Sequence, residues 1–443
     1  MLPLKSTWLR CLGGGLLALT LTGSALRAQD SGPLLDLLVK KGIVTDQEAE
    51  ELRAELVKDF ATSSPAGKLN LSSGLTELKI SGDARVRYEH RTGENAAGDN
   101  IDRGRWRYRL RPAITGTLGS QWFFGLRIEN GGGNRSSNVT FGDDGGPWAK
   151  TNDGFYAGQV YIGFKPTNAW TLYAGRIPNP FVTTSMVWDG DINPEGFAEK
   201  FTYAAGPVSY FVNLGQFIYD SANPQNALAP AVNRKDQYML GWQAGATVKF
   251  DERNSLTVAP TLYHYVNNER NAKTFAGSFS PGTQNAINNL MIAEVPFTLA
   301  TTLPNGAAAS VFGDVAYNFD GDDRARKYGR PDLDSEALAW QLGAQYGKAK
   351  NRGEWDLKAF YQATGLFALD PNLVDSDLFD SRVNTKGWVV GLNYLLSDAV
   401  TFTVTYADAK TKDTSAISAG SGDIGIPSLR SFGLLQFDIV AKF

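Results

Sequence analysis

The chain has 443 residues, enough for two or three separate domains or for one large barrel. It carries 46 acidic against 43 basic side chains, a formal net charge of −3, which argues against general affinity for nucleic acid. One cysteine, two histidines and no Ser-based nucleophile motif leave little for an enzyme to build on, so neither catalytic residues nor a cofactor are expected.

Residues 1–28 read as a secretory signal peptide. Lys5 and Arg10 precede an uncharged run from Cys11 to Leu26, and Ala28 marks the cut, blurred by the large Leu26 at the minus-three position. Cys11 leaves with this segment, so the remainder has no thiol or disulfide chemistry. Lys5, Arg10 and Arg27 leave too, which takes the net charge to about −6. No other apolar run reaches the roughly 18 residues of a membrane helix, and a chain without such helices can cross a bilayer only as a closed barrel. The 47 glycines and the high aromatic content suit that class.

Residues 29–67 read as a periplasmic helical hairpin and linker. Leu34, Leu35, Leu37 and Leu38 make a short helical face that Gly42 stops. Thr45 and Glu48 then form a capping box that opens a second helix through about Phe60, with a linker over Ala61–Gly67. Two readings of residues 31–60 stay open: an element that touches the cell wall or helps subunits assemble, and a solvated tether.

Residues 68–443 read as an outer-membrane β-barrel. From about Leu75 the pattern is strand, turn, strand, long loop, repeated. The first strand, near Leu78–His90, alternates Ile80, Ala84, Val86 and Tyr88 with Ser81, Asp83, Arg85, Arg87 and Glu89. The second carries arginine at every other position from Arg103 to Arg111, with Trp106, Tyr108 and Leu110 between. Five like charges about 7 Å apart need water, counterions or carboxylates nearby. A strand whose aromatic face meets lipid while its guanidinium face lines a wet lumen meets both demands. Later strands keep the alternation: Tyr238, Leu240 and Trp242 oppose Gln237 and Gln243, and Leu338, Trp340 and Leu342 oppose Gln341 and Gln345. The count is about sixteen strands, with fourteen or eighteen still open. Short connections lie near Gly119, Asn168, Gly206, Asp251–Asn254, Pro304–Gly306, Lys350–Gly353 and Asp398. Long ones cover about 91–103, 131–154, 178–197, 218–236, 267–288, 320–334, 366–384 and 411–429. Short periplasmic turns and long external loops are the outer-membrane arrangement. Pro112, Pro260 and Pro296 fall inside expected strands and require bulges or strand ends there, because each removes a ladder hydrogen bond.

Three motifs carry a family resemblance: Arg105-Trp-Arg-Tyr-Arg-Leu-Arg111, Val187-Trp-Asp-Gly-Asp-Ile-Asn-Pro-Glu-Gly196, and Asp375-Ser-Asp-Leu-Phe379 followed by Lys386-Gly387. With the N-terminal stretch Leu37–Leu52 they resemble the bacterial putative outer-membrane porin family, the general and anion porin-like β-barrels. The resemblance implies a passive channel, a homotrimer of barrels in outer-membrane lipid, and a third external loop folded into the lumen.

Parity places Arg85, Arg87, Arg105, Arg107, Arg109, Arg111 and Arg127 on the pore-lining face, because an arginine on the lipid face near the midplane costs about 2–4 kcal/mol. Such a wall either attracts phosphate- or carboxylate-bearing solutes or is neutralised by Asp83, Glu89, Glu129 and loop carboxylates. Asp189, Asp191 and Glu195 are the expected constriction-loop acids facing it. Spaced acids in the loop 366–384 (Asp370, Asp375, Asp377, Asp380) raise calcium as a lesser reading beside a solvated loop. His90 and His264 are too far apart to suggest a metal pair, and the Asn134 and Asn138 sequons are chance in a bacterial outer membrane. The expected function is passive diffusion of small hydrophilic solutes and ions. The alternatives are a substrate-specific anion channel and a plugged barrel acting as a structural anchor or adhesin.

Overall fold

Strict alternation of apolar and polar residues over 7 to 21 positions leaves each segment one face for lipid and one for the interior, and only closure satisfies every edge. The computed structural model of this chain describes residues 37–41, 44–63, 72–131, 136–143, 154–221, 236–266, 290–416, 419–420 and 429–443. Residues 1–72 and 73–443 form two compact units. The first contains helix α1, Asp46–Ser63. The Thr45 amide donates to the Glu48 carboxylate at 2.8 Å and the Glu48 amide to the Thr45 hydroxyl at 3.3 Å, which is the expected capping box. The helix runs through residues 61–63, which the sequence reading gave to a linker. The signal segment and the rest of that linker lie outside the described residues.

The second unit is a closed antiparallel barrel with sixteen strands among the described residues. β1 (Leu75–Asn95), β2 (Asn100–Leu118), β3 (Trp122–Asn130) and β4 (Phe155–Phe164) come first. β5 (Trp170–Arg176), β6 (Glu195–Ala205), β7 (Val208–Asp220) and β8 (Gln237–Lys249) follow. β9 and β10 are interrupted, as Ser255–Val258 with Thr261–Val266 and Met291–Glu294 with Phe297–Thr302. β11 (Ala308–Asn318), β12 (Leu338–Gly347), β13 (Trp355–Thr364), β14 (Thr385–Ser397), β15 (Val400–Thr411) and β16 (Leu429–Lys442) complete the wall. Each strand pairs with the next, and β16 returns to β1 with Asp83 opposite Lys442 and Tyr88 opposite Phe437. Terminal Phe443 exchanges both backbone hydrogen bonds with Gly82, at 2.8 and 3.1 Å.

The seven short turns fall where expected. The first external connection does not: β1 and β2 extend into 91–103, and Arg91 is the cross-strand partner of Arg103. Its polar residues suggest a loop, but their period of two continues the strand. The three prolines are accommodated in two ways. Pro112 sits where the β2–β3 ladder ends, one residue beyond the Ala113–Arg127 pair, and Leu110 instead donates to the Asn130 side chain at 2.6 Å. Residues 259–260 and 295–296 form facing breaks in β9 and β10, so the two missing donors occupy one kink, and the Ala259 amide still reaches the Pro296 carbonyl at 3.1 Å.

The outward face carries two aromatic girdles. Trp122 stacks near Phe164, Trp170 near Phe201 and Tyr346 near Trp355 beside the short turns. Tyr88–Trp106 and Tyr361–Trp388 lie toward the long-loop end. Such girdles mark the two interfaces of a bilayer. No helix among the described residues is long and apolar enough to cross a membrane.

Candidate pore constriction

The external loop 177–194 turns inward. It buries Ile177, Met186, Val187 and Trp188 in an interior cluster with Phe217, Tyr263, Ile292 and the loop residues Leu366–Leu369. Its tip crosses to the far wall. The Val182 amide donates to Gln243 at 2.9 Å, the Thr183 hydroxyl to Glu294 and the Thr184 hydroxyl to Asp314, both at 2.6 Å. Its return limb touches the near wall, where Asn193 accepts from Gln159 at 2.9 Å and Asp191 meets Arg111 at 2.8 Å.

The loop 365–384 comes in from the other side. Leu373 accepts a hydrogen bond from the Asp189 amide at 2.6 Å, and the Ser376 amide donates to the Asp189 carboxylate at 3.0 Å. Near its end Asp380, Ser381 and Asn384 hold left-handed backbone, which non-glycine residues adopt only when their surroundings impose it. Burial beside Asp189 and Asp377 pushes the Asp375 carboxyl up to about 8. Asp377 goes the other way: burial opposes its charge, but Arg87, Arg91 and Arg85 hold it well below the ordinary carboxylate range.

The arginine face is interior, as parity requires: Trp106 is 53% exposed and Arg107 is 6% exposed. It is also densely paired. Glu89, fully buried, lies within ion-pair reach of Arg87, Arg91, Arg105 and Arg107. Asp83 pairs with Arg109 at 2.9 Å and Arg111 at 2.8 Å. Asp377 reaches Arg87 at 2.6 Å and Arg91 at 3.1 Å, and Asp438 takes the other edge of Arg87 at 2.6 Å. Arg127 pairs with Glu129 at 3.2 Å. Arg85 is the exception: among the described residues its guanidinium donates to Asn138 and has no carboxylate in ion-pair range.

Two of the three expected constriction acids are therefore placed differently. Glu195 begins β6 on the outward parity with Phe197 and pairs with Arg176 at 3.0 Å, both well exposed, so it does not face the arginine wall. Asp189 is buried, but it accepts from the Asp191 and Ser376 amides and ties the two loops together. Asp191 does meet the wall. The acids of the loop 365–384 are engaged by protein donors: Asp370 by Tyr219 and Tyr265, Asp377 by arginines and Asp380 by Arg382. Asp438 and Arg91 were missed in the sequence, and Asp377 was read there as a loop acid without its partners Arg87 and Arg91. Asp438 was findable, because closure puts the last strand beside the first and makes it the cross-strand partner of Arg87. Nothing local to Asp377 points to the wall.

The closed barrel, its girdles and its inward loops define an outer-membrane β-barrel of the porin type, placed in the bacterial outer membrane. Residues 95–294, the stretch from the end of β1 into β10, match the family model described as "Putative porin". A search of curated proteins finds no match. Similar solved structures include the outer membrane channel DcaP of Acinetobacter baumannii, at 12% identity and TM-score 0.45, covering 85% of this chain and 99% of that one. An anion-selective porin from Comamonas acidovorans is similar at 14% identity and TM-score 0.44, with 83% and 99% covered. A triple mutant of the Rhodopseudomonas blastica porin is similar at 12% identity and TM-score 0.41, with 83% and 100% covered.

Proposed function

We propose that the protein is a passive diffusion channel for small hydrophilic solutes and ions, with flow set by their gradient. The family is one of channels rather than enzymes. The observation that carries the reading is a closed barrel with a polar interior in which one loop spans from the β2 wall to β10 and β11 and narrows the lumen without lining it throughout with apolar side chains. In this reading Arg85, Arg87, Arg105, Arg107, Arg109, Arg111 and Arg127 line the lumen, and their ion pairs to Asp191 and Asp377 hold both loops inward. Purified, folded protein in a planar bilayer should give an ohmic current. Its absence would leave a plugged anchor or adhesin.

A substrate-specific anion channel is the second reading, favoured by Arg85, which lacks a carboxylate partner among the described residues. Arg85→Gln would then remove saturation of the current by phosphate or small carboxylates.

The proposed assembly is a homotrimer. Glu199 and Gln216 share a 3.0 Å hydrogen bond on the outward parity of β6 and β7, beside Leu172 and Leu214. A carboxylate facing lipid is unfavourable by up to about 2 kcal/mol, and contact with another copy removes that cost. Glu199→Arg should convert the unheated oligomer to monomer on native gels. Residues 31–60 are proposed to touch the cell wall or assist assembly, as Leu37 and Leu52 of that segment are exposed. Sedimentation with purified peptidoglycan tests the first option.

A further inference from the structure

We infer that solutes pass the constriction on the side away from the arginine strand, and that Lys358 sets the charge selectivity there. This rests on the porin reading. A water path needs exposed side chains, and the arginine side offers few. Arg87, Arg91, Arg105, Arg107 and Glu89 are all at least nine-tenths buried, and they are covered by Asp377 from the loop 365–384. On the opposite side a cavity of about 360 Å³ lies between the loop tip Thr183–Ser185 and the inner face of β9 to β13.

The lining there is different in kind. Thr257, Thr298, Ser310, Gln341 and Gln345 contribute hydroxyls and amides, and Lys358 is the one charged side chain lining it among the described residues. Ser310, Gln345 and Lys358 form a continuous cross-strand row on β11, β12 and β13. The Lys358 ammonium sits 4.5 Å from the Phe312 ring centroid and 5.3 Å from that of Phe360. No carboxylate lies within ion-pair distance of it among the described residues. Asp356 on the same strand and Asp375 of the loop 365–384 are the carboxylates whose charge reaches it, both from beyond that distance, while Glu294 and Asp314 are taken up by Thr183 and Thr184. Two aromatic faces steady the ammonium without neutralising it, so its charge stays available to ions in the cavity. Each arginine of the wall except Arg85 has its field closed on a carboxylate, and such pairs project little beyond a few ångströms.

The test is the reversal potential of the full protein in planar bilayers under a KCl gradient. A unit charge about 6 Å from a passing ion in a water-like dielectric changes its population about threefold. Lys358→Met keeps the stem against both rings and, because the charge acts oppositely on the two ions, should lower the chloride-to-potassium permeability ratio by up to about tenfold. Gln345→Glu, which places a carboxylate on the cross-strand partner of Lys358, should lower it without altering the lysine. Arg107→Ala with Arg109→Ala, whose charges are already met by Glu89, Asp83 and Asp191, should shift the ratio by less than Lys358→Met does. If wild-type protein conducts and both β12–β13 variants keep its ratio, or if the arginine pair carries the shift, the inference is wrong. If wild-type protein passes no current, the porin reading itself is wrong.

Discussion

The two inner walls of this barrel solve opposite problems with the same alternating pattern. On β1 and β2 the inward row is arginine, and the protein covers it with acids from β16 and two loops until it is nearly dry. Where β9 to β13 line the cavity, the inward side chains are hydroxyls and amides with one lysine among the described residues, and the acids of that wall, Glu294 and Asp314, are tied to the loop tip. The difference teaches that the density of charge along a strand says little about the field inside a pore. Closely packed like charges recruit countercharges, since unpaired burial costs several kcal/mol per ion, whereas an isolated cation beside aromatic rings needs none.

The largest expected effect lies at the centre of the dry wall. Glu89→Ala leaves buried guanidiniums without their shared partner and should destabilise the barrel by about 3–5 kcal/mol, read from the denaturant midpoint of heat-modifiable migration in detergent. An unchanged midpoint would mean that this wall is wet after all, and the contrast between the walls would collapse. Next comes the tie between wall and loop. Asp377→Asn weakens contacts to Arg87 and Arg91 and should raise single-channel conductance, because the loops 365–384 and 177–194 are freed together.

A pH series sharpens the same tie. Asp375 is raised to about 8 by burial and by Asp189 and Asp377, so its neutral form favours the folded loop. That contribution is present at low pH and is lost as pH rises through about 8. Asp377 is depressed by arginines, so its contribution is present above the ordinary carboxylate range and fades as pH falls below it. Amide hydrogen exchange at residues 370–380 should therefore quicken both above about pH 8 and below about pH 4. The smallest effect belongs to Glu195→Gln, whose exposed pair with Arg176 should change stability by less than about 1 kcal/mol and leave the permeability ratio unchanged.

Much of the barrel was legible in the residues, because a period of two needs no tertiary knowledge: Trp106, Trp242 and Trp340 could be assigned to lipid from their neighbours alone. Polarity hid the end of the first loop: residues 91–102 looked like loop although their period of two continues β1 and β2. The site was less legible. Asp189, Asp191 and Glu195 lie within seven residues of one another, yet they face a second loop, the arginine wall and the outer surface respectively. Loops have no repeat from which direction can be read.

The sequence by itself determined the strand alternation, the turn spacing, the lipid face and the inward set of the arginines, because each follows from local geometry and the cost of charge in lipid. Tertiary structure alone decided which of those arginines meet water. Asp377 is 290 residues from Arg87 along the chain and Asp438 is 351, and both reach it through barrel closure and loop folding. Neutralisation depends on distances of about 3 Å across such separations, and nothing in the local pattern encodes them.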